Sequence, residues 1–396
     1  MNSDYDVIVV GGRVAGASTA LLLARAGVRV AVIEKSRHGA DTISTHGLMR
    51  AGVLQLSRWG VLDEVLAAGT PPIRETTFHY ADGESTHVSI RPGAGVGALY
   101  APRRYLLDRI LVDAAGAAGA QLRHETTVTG VLRDETGRVV GVRTVDRAGR
   151  PAEFTATLTI GADGARSAMA EMLGAPVLRR ARSASAFLYR YHAGLGAPGY
   201  EWAYGDGAAA GFLPTNDGAT CVFVGTRPAA LRRLLRRDGT DSACRALLDR
   251  AGFTLSERVE AATPVGRMHG WTGLAGFVRR SWGRGWALVG DAGYFRDPLT
   301  THGITDALRD AELLTDEVLE SLAGVTPEAV ALARYQATRE RLSHRLFDAT
   351  QAVASYDWNL QEVRCLLRRV SSAMSDEVDH LSGLPERRGA PAPTSS

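Results

Sequence analysis

The first 34 residues contain the feature that most constrains how this chain can fold. Tyr5–Val10 is a short apolar run that ends at two glycines, residues 14–26 are rich in Ala and Leu, and residues 28–33 form a second apolar run that ends at Glu34. Short apolar runs of this kind predict buried parallel strands, and the segment between them predicts the crossover helix. The N-terminus is therefore expected to form a right-handed βαβ unit, which places the chain in the α/β class.

The turn of this unit has the pattern of a dinucleotide site. Glycines let the backbone approach a diphosphate, the following helix offers free N–H groups, and an acid after the second strand binds the adenosine ribose. Gly11, Gly16 and Glu34 occupy these positions, and Glu34 follows Gly11 by 23 residues, near the usual spacing of about 20. The middle glycine is replaced by Arg13. Either the arginine side chain turns outward and pairs with phosphate, or the site has lost the ability to bind a dinucleotide. We favour the first, because Gly12 gives the backbone of the turn additional conformational freedom.

Two later segments resemble motifs of the flavoprotein aromatic hydroxylases, the group A flavin monooxygenases. Residues 160–167 read IGADGARS, similar to the DG motif, and residues 287–292 read ALVGDA with a proline at position 298, similar to the GD motif. The resemblance implies FAD rather than NAD as the bound dinucleotide. It implies that Asp291 binds the ribityl chain, that the segment of Asp163 lies near the pyrophosphate and serves NAD(P)H use, and that Arg104 contacts the flavin.

The GD loop departs from the family pattern at one position. The family continues as P-x-x-G-x-G before a helix, whereas here Thr301 stands at the first glycine. A helix beginning near Ile304 is still expected to direct its positive end at the flavin. Asp306 and Asp310, each followed by alanine, also fit the family pattern of that helix. The alternative is that the acids only complement the positive helix end in the first turn and lie on a solvated face. The expected FAD-binding set is Gly11, Gly12, Arg13, Ala15, Gly16, Glu34, Lys35, Arg104, Val128, Asp163, Gly164, Gly290, Asp291, Pro298, Gly303 and Ile304.

The remaining pattern predicts an interleaved second domain. From residue 185 to 224 the apolar period changes to two, which is typical of strands in a mostly antiparallel sheet. We expect a Rossmann-type FAD-binding domain from residues 1–75, 100–180 and 271–325, and a substrate domain from residues 76–99 and 181–270. Residues 326–385 are expected to be helical, and residues 386–396 to form a disordered tail. One helix is predicted over residues 46–68, and a short strand over residues 158–160.

Two loop histidines are candidates for proton transfer, because imidazole titrates near neutral pH. His46 follows the second strand in Ser44-Thr45-His46-Gly47, and His302 lies in the GD loop. Histidines that hydrogen-bond to loop backbone are the alternative. The aromatic face of Phe187, Tyr189 and Tyr191, with Phe212 and Phe223, is a candidate roof over the isoalloxazine, with a plain sheet core as the alternative. The substrate pocket is predicted to include Tyr189, Tyr191, Phe212, Pro214 and Phe223.

The resemblance implies a monooxygenase in which NAD(P)H reduces FAD, O2 forms a flavin C4a-hydroperoxide, and one oxygen atom passes to a small organic substrate. A separate flavin reductase could supply the electrons. A reductase of the geranylgeranyl-reductase type is the alternative, on a loose similarity of residues 211–214. A halogenase is disfavoured, because flavin halogenases use a lysine to carry the halogenating species. Lys35 is the only lysine of this chain, and it follows Glu34 at the adenosine end. A non-catalytic binding protein on the same fold is the alternative from another class.

The composition of the chain argues against several other kinds of function. The formal net charge of +3 gives no sign of a nucleic-acid binder. The three cysteines are far apart in the sequence, so neither a disulfide framework nor a metal site is expected, in keeping with a cytoplasmic protein. No apolar run is long enough to predict a membrane span. The oligomeric state is not indicated.

Overall fold

The computed structural model describes residues 3–93, 95–252 and 254–384. The predicted tail at residues 386–396 lies outside these ranges. The fold is of the α/β class, with a Rossmann-type domain interleaved with a mostly antiparallel sheet and followed by C-terminal helices. The helices are α1 Val14–Arg25, α2 Arg50–Arg58, α3 Leu62–Ala67, α4 Arg104–Ala117, α5 Ala168–Met172, α6 Pro228–Ala251, α7 Leu255–Ala261, α8 Gly303–Leu322, α9 Glu328–Val353 and α10 Leu360–Ser382.

The first sheet is built on the predicted βαβ unit. Its parallel strands lie in the order β17-β8-β1-β2-β5, and β16 continues it antiparallel to β17. Strands β6 and β7 form an antiparallel extension through β8. The strands are β1 Tyr5–Val10, β2 Val30–Ile33, β5 Gln121–Arg123, β6 Thr126–Arg133, β7 Val139–Asp146, β8 Pro151–Gly161, β16 Trp282–Gly283 and β17 Trp286–Leu288.

The carboxyl ends of the parallel strands position the site. The turns after β1, β2, β8 and β17 carry Gly11, Glu34, Ala162 and Gly290 to one edge of this sheet. Ligands of open parallel sheets bind at this edge, where strand ends and helix N-termini meet. Helix α1 packs against α4 and α8 in the core below the edge.

The second sheet has the order β14-β10-β13-β12-β11-β3-β4 and is antiparallel except between β3 and β11. Side chains alternate between its two faces, so one face packs against α6 and the other packs against α9, α10 and Leu299 of the GD loop. The strands are β3 Glu75–Tyr80, β4 Ser85–Ser89, β10 Ala186–Ala193, β11 Tyr200–Gly205, β12 Ala208–Pro214, β13 Ala219–Thr226 and β14 Thr263–Trp271. A small sheet joins β9 Val177–Arg180, β15 Phe277–Arg279 and β18 Tyr294–Phe295.

Two sequence predictions differ from the structure. The helix predicted over residues 46–68 is two helices, because residues 46–49 form a loop and Gly60, with φ of 66°, ends α2. The strand predicted over residues 158–160 is the end of β8, whose exposed first half pairs with β7 and lacks the apolar signal. Among the described residues, no helix combines the length and the apolar character needed to span a bilayer.

Candidate functional site

The turn after β1 requires glycine at two positions. Gly11 has a φ of 108°, and a Cβ there would lie 2.5 Å from the carbonyl oxygen of Ala162. A Cβ on Gly16 would lie 1.8 Å from the Gly11 oxygen. Helix α1 begins next to this turn without a side-chain cap, so its first N–H groups are free to bind an anion.

A cavity of about 580 Å³, the turn cavity, opens beside this helix start. Helix α8 also begins at its wall without a side-chain cap. Two uncapped helix N-termini therefore meet at one cavity, an arrangement that favours a negatively charged ligand. The predicted cofactor residues that line it are Gly11, Arg13, Ala15, Glu34, Lys35, Arg104, Val128, Asp163, Gly164, Asp291, Pro298, Gly303 and Ile304.

Arg13, the residue in the middle glycine position, turns its guanidinium along the cavity wall. Its Nη2 lies 3.4 Å from the backbone oxygen of Asp41, and its Nη1 lies 3.8 Å from Oδ2 of Asp108. Nη1 is buried and makes no hydrogen bond. A buried guanidinium N–H without an acceptor is costly, so this donor fits a phosphate oxygen in the cavity.

Glu34 is held at the opposite end of the turn. Its carboxylate accepts hydrogen bonds of 2.7 Å from the backbone N–H groups of Gly12 and Ser36. Gly12 therefore orients the acid and does not line the cavity itself. Each carboxylate oxygen keeps capacity for a further donor such as a ribose hydroxyl.

The DG and GD segments close the cavity from the side of β8 and β17. Asp163 accepts from the Ser167 hydroxyl at 2.5 Å and the Met169 N–H at 3.0 Å, which fixes the start of α5. Gly290 has a φ of 59°, and a Cβ there would approach the Ala15 Cβ to 2.8 Å. Burial, with the neighbouring Asp306 carboxylate, raises the pKa of Asp291 to about 7.

Gly16 and Gly290 therefore shape the cavity without lining it. Sequence reasoning missed two aromatic residues of the wall, Trp271 and Phe295, which line the cavity together with Phe187. The alternating pattern predicted that the face of Phe187 lies over the flavin, but no local signal placed Trp271 and Phe295 beside it.

A second cavity of about 740 Å³, the sheet cavity, lies between α10 and the strands β3, β4 and β11. Its wall is mostly apolar and includes Phe78, Tyr80, Trp202, Leu367, Val370 and Met374. The two cavities share two dividing segments. Residues 46 and 47 line the turn cavity while 49 and 50 line the sheet cavity, and Thr301 lines the first while Thr300 and His302 line the second.

His46 is fully buried in the wall of the turn cavity. Its φ is 67°, its Nε2 hydrogen-bonds to the Tyr191 hydroxyl, and its Nδ1 has no partner. Burial, and then the charges of Arg103 and Arg104, hold the pKa of His46 well below its usual value. The imidazole is therefore neutral at neutral pH.

His302 is equally buried but faces the sheet cavity. Its Nε2 lies 2.5 Å from Oε2 of Glu377 on α10, and its Nδ1 has no hydrogen-bond partner. Burial opposes ionisation of Glu377, but His302 and Arg309 outweigh it and lower the pKa of that carboxyl to about 2. Glu377 is therefore an anion, and its carboxylate accepts the hydrogen bond from Nε2–H of His302.

Arg309 links this pair to an ion-pair network at the start of α8. Its guanidinium contacts Asp306 at 2.8 Å, Asp310 at 2.7 Å and Glu377 at 2.8 Å. Arg296 lies 2.5 Å from Asp306. The expectation of a solvated face for Asp306 and Asp310 is wrong, because both are buried and paired with arginine. His302, Asp306 and Glu377 are close enough to hold a cation, but the arginines already neutralise the acids.

The chain resembles known flavoproteins over most of its length. Residues 4–350 match the model of a family described as FAD binding domain. The chain belongs to this FAD-binding family. FAD is therefore the dinucleotide that the turn cavity must fit. The two helix starts, the Arg13 N–H that makes no hydrogen bond and the Glu34 carboxylate suit that ligand. The protein is an FAD-dependent oxidoreductase of the group A flavin monooxygenase type of fold.

Relatives with this FAD-binding fold differ in their named activities. Digeranylgeranylglycerophospholipid reductase 2 of Methanopyrus kandleri is 28% identical over 84% of this chain and 81% of its own. PqsL of Pseudomonas aeruginosa, solved with 2-aminobenzoylacetate, has a TM-score of 0.77 and 25% identity over 94% of this chain and 99% of its own. The flavin-dependent brominase Bmp2 has a TM-score of 0.78 with 18% identity over 96% and 93%, a likeness of fold alone.

The predicted substrate-pocket residues divide between the two faces of the second sheet. Tyr189, Tyr191 and Phe223 lie on the face toward the FAD-binding domain. Phe212 packs in the core beneath α6, under the guanidinium of Arg258. Pro214 lies two residues later on β12 and therefore on the same face of the sheet. The assignment of Phe212 and Pro214 to the pocket is therefore wrong. It was based on residue type, and it did not consider which face of the sheet each residue of β12 occupies.

Proposed function

We propose that the protein is an FAD-dependent monooxygenase that oxygenates a small organic substrate with a large apolar surface, using O2 and NAD(P)H. The observation that carries the proposal is the contact between the two cavities. The sheet cavity is mostly apolar and is separated from the turn cavity only by the segments around residues 46–50 and 298–303. A substrate in one cavity would therefore lie next to a flavin in the other.

The proposed orientation of FAD follows the polar groups of the turn cavity. Glu34, Lys35 and Val128 would bind the adenosine end, and Arg13 with the start of α1 would bind the diphosphate. Asp291 would contact the ribityl chain, and Arg104 with the start of α8 would lie at the flavin end. Bound FAD supplies two-electron transfer and activation of O2; the chain binds it, orients it and excludes water.

The sheet cavity supplies the second requirement, a dry place for the substrate. Its wall is formed by aromatic and aliphatic side chains of β3, β11 and α10. Apolar walls favour an apolar ligand and shield reactive groups from water. We therefore propose this cavity, and not the pocket predicted around Phe212, as the substrate site.

His302 is proposed as the group that exchanges a proton with the substrate. Its Nδ1 is free of hydrogen bonds, and its ring forms part of the sheet-cavity wall. Glu377 holds Nε2 at 2.5 Å and, as an anion, stabilises the ring when it carries a second proton. An imidazole supported by a carboxylate is a common arrangement for acid–base catalysis.

A second candidate is a flavin-dependent reductase of C=C bonds, which the names of the sequence relatives favour. A relative that matches 84% of this chain is called a digeranylgeranylglycerophospholipid reductase. The same His302–Glu377 pair would then deliver the proton that accompanies hydride addition. The two candidates use one site and differ in the product.

The experiment starts from purified protein. We expect it to be yellow and to contain FAD; protein that takes up no flavin on titration overturns the proposal. A panel of apolar aromatic and isoprenoid compounds is then incubated with NADPH or NADH under isotopically labelled O2. A product heavier by one labelled oxygen atom supports the monooxygenase. A product heavier by two hydrogen atoms, with no label, replaces it with the reductase.

A further inference from the structure

We infer that Tyr191 is a positioning residue that fixes the tautomer of His46, so that the ring presents its Nδ1–H to a flavin in the turn cavity. The inference rests on the proposed placement of FAD. It goes beyond that placement by assigning a specific donor to the cofactor and a side chain of the second sheet that controls it.

The direction of the His46–Tyr191 hydrogen bond follows from the other partners of the two tyrosine hydroxyls. The backbone N–H of Ser44 lies 3.4 Å from the Tyr189 hydroxyl oxygen, and a backbone N–H can only donate. The Tyr191 hydroxyl, which burial keeps protonated, has one hydrogen-bond partner among the described residues, Nε2 of His46. The Tyr191 hydroxyl therefore donates to Nε2.

This arrangement settles which ring nitrogen carries the proton. When Nε2 of a neutral imidazole accepts a hydrogen bond, Nδ1 must carry the hydrogen. Nδ1 of His46 is buried and has no hydrogen-bond partner, and His46 is a wall residue of the turn cavity. A buried N–H without an acceptor is unfavourable, and a ligand in this cavity is positioned to accept from it.

Neighbouring charges help to keep the His46 ring neutral, and burial keeps the Tyr191 hydroxyl protonated. The guanidinium carbon of Arg103 lies 3.8 Å from the centre of the Tyr191 ring. Besides burial, the groups that act on the His46 ring are Arg103, Arg104 and His269, and all of them oppose an added proton. Burial raises the pKa of Tyr191, so its hydroxyl remains a donor.

Ring geometry adds a second constraint. The rings of His46 and Tyr191 are stacked, with centroids 5.7 Å apart and an angle of 25° between planes. The positive φ of His46 directs its side chain out of the loop and against β10. Stacking and the hydrogen bond together leave the ring one orientation.

The test uses two amide variants that each keep one half of the imidazole. His46→Asn keeps an N–H near the Nδ1 position and tolerates the left-handed φ; His46→Gln keeps an amide near the Nε2 position only. The FAD midpoint potential of the holoenzyme is measured, because a donor to the flavin stabilises its electron-rich reduced form. Tyr191→Phe removes the tautomer control while leaving the ring stack.

We expect His46→Asn to keep the wild-type potential. His46→Gln should lose about tenfold in its preference for reduced over oxidised FAD, which is about 30 mV for a two-electron couple. Tyr191→Phe should shift the potential in the same direction by less. The control is Tyr335→Phe, which also removes a buried hydroxyl with a hydrogen bond, to Leu288, and should not change the potential.

Equal potentials in the Asn and Gln variants overturn the inference while leaving the proposed function standing. If His46→Gln does not fold, the Tyr191→Phe potential decides, and an unchanged value overturns the inference. Wild-type protein that takes up no FAD overturns the proposed function and this inference with it.

Discussion

The loops around His46 and His302 have nearly the same sequence but opposite surroundings. One reads Ser44-Thr45-His46-Gly47 and the other Thr300-Thr301-His302-Gly303. The left-handed residue is the histidine in the first loop, with φ of 67°, and the preceding threonine in the second, with φ of 52°. This shift of one residue accompanies a change of direction: His46 lines the turn cavity and His302 lines the sheet cavity.

The partners of the two histidines differ more than the loops do. His46 bonds to a neutral phenol from β10, whereas His302 bonds to a carboxylate from α10. Burial and nearby arginines keep the His46 ring neutral, whereas the Glu377 carboxylate can only accept a hydrogen bond and so fixes a hydrogen on Nε2 of His302. Nearly the same four-residue pattern therefore places its histidine against a phenol or against a carboxylate, depending on which distant element packs against the loop.

The substitution with the largest expected effect removes the negative charge of Glu377, the partner of His302. Glu377→Gln keeps the shape but cannot stabilise a protonated His302. We expect kcat to fall by about 10²- to 10⁴-fold, the usual contribution of acid–base catalysis, with KM and FAD content nearly unchanged. Steady-state kinetics on the substrate found in the panel measures it.

The matched control is Asp376→Asn, one residue earlier on α10, where the acid is exposed and pairs with Arg345. It should keep wild-type kcat. Because Glu377 also contacts Arg309, the Gln variant could unfold; His302→Gln then gives the same measurement. Wild-type turnover in a folded, FAD-loaded Glu377→Gln protein would remove His302 from the chemistry.

The contact between the loops gives the next test, through their corresponding glycines. A Cβ on Gly47 would lie 2.2 Å from Cγ2 of Thr301, whereas a Cβ on Gly303 would meet no atom within 4 Å. Gly47→Ala should lower the free energy of unfolding by about 1–3 kcal/mol, the cost of overpacking. Gly303→Ala should change it by less than about 1 kcal/mol. Urea unfolding of the flavin-free proteins measures both, and equal midpoints would contradict the contact.

Much of the FAD-binding domain was predictable because its signals are local. The glycine turn, the crossover helix and Glu34 lie within one βαβ unit, whereas Arg104 and the DG and GD positions were expected from the resemblance to the group A flavin monooxygenases. The partners of the histidines were not predictable, since Tyr191 is 145 residues from His46 and Glu377 is 75 residues from His302. Helical spacing around Glu377 indicates a helix but not what that helix packs against.

The errors have the same origin. Phe212 was assigned by residue type, and the register of β12 against β13 placed it on the other face. Asp306 and Asp310 had the appearance of solvent-facing acids, and only the fold brings Arg296 and Arg309 around them. The sequence contains these arginines, but pairing them requires the position of α8 relative to the GD loop.

The pH dependence of the free energy of unfolding tests the low pKa of His46 and should change by a smaller amount. The folded-state pKa of His46 is lowered, so below about pH 6.5, the unfolded value, the unfolded chain binds more protons and stability falls as pH falls. His46→Asn removes this group and should lose less stability than wild type between neutral and mildly acidic pH. Unfolding of the FAD-saturated proteins across this range measures it. The same substitution at the exposed His344 is the control; an unchanged pH dependence in His46→Asn would contradict a depressed pKa.

The smallest expected effect concerns the threonine that replaces a family glycine in the second loop. Thr301 is β-branched and adopts φ of 52° and ψ of 41°, a conformation that costs about 1–2 kcal/mol for residues with a Cβ. Thr301→Gly should relieve this strain, and the flexibility of glycine in the unfolded chain offsets part of the gain. We expect a net stabilisation of about 0.5–1 kcal/mol in urea unfolding. Thr300→Gly, one residue earlier and hydrogen-bonded to Thr350, should destabilise instead. A Thr301→Gly protein less stable than wild type would show that contacts of the methyl group with Gly47 outweigh the backbone strain, and that the two loops are held together by this side chain.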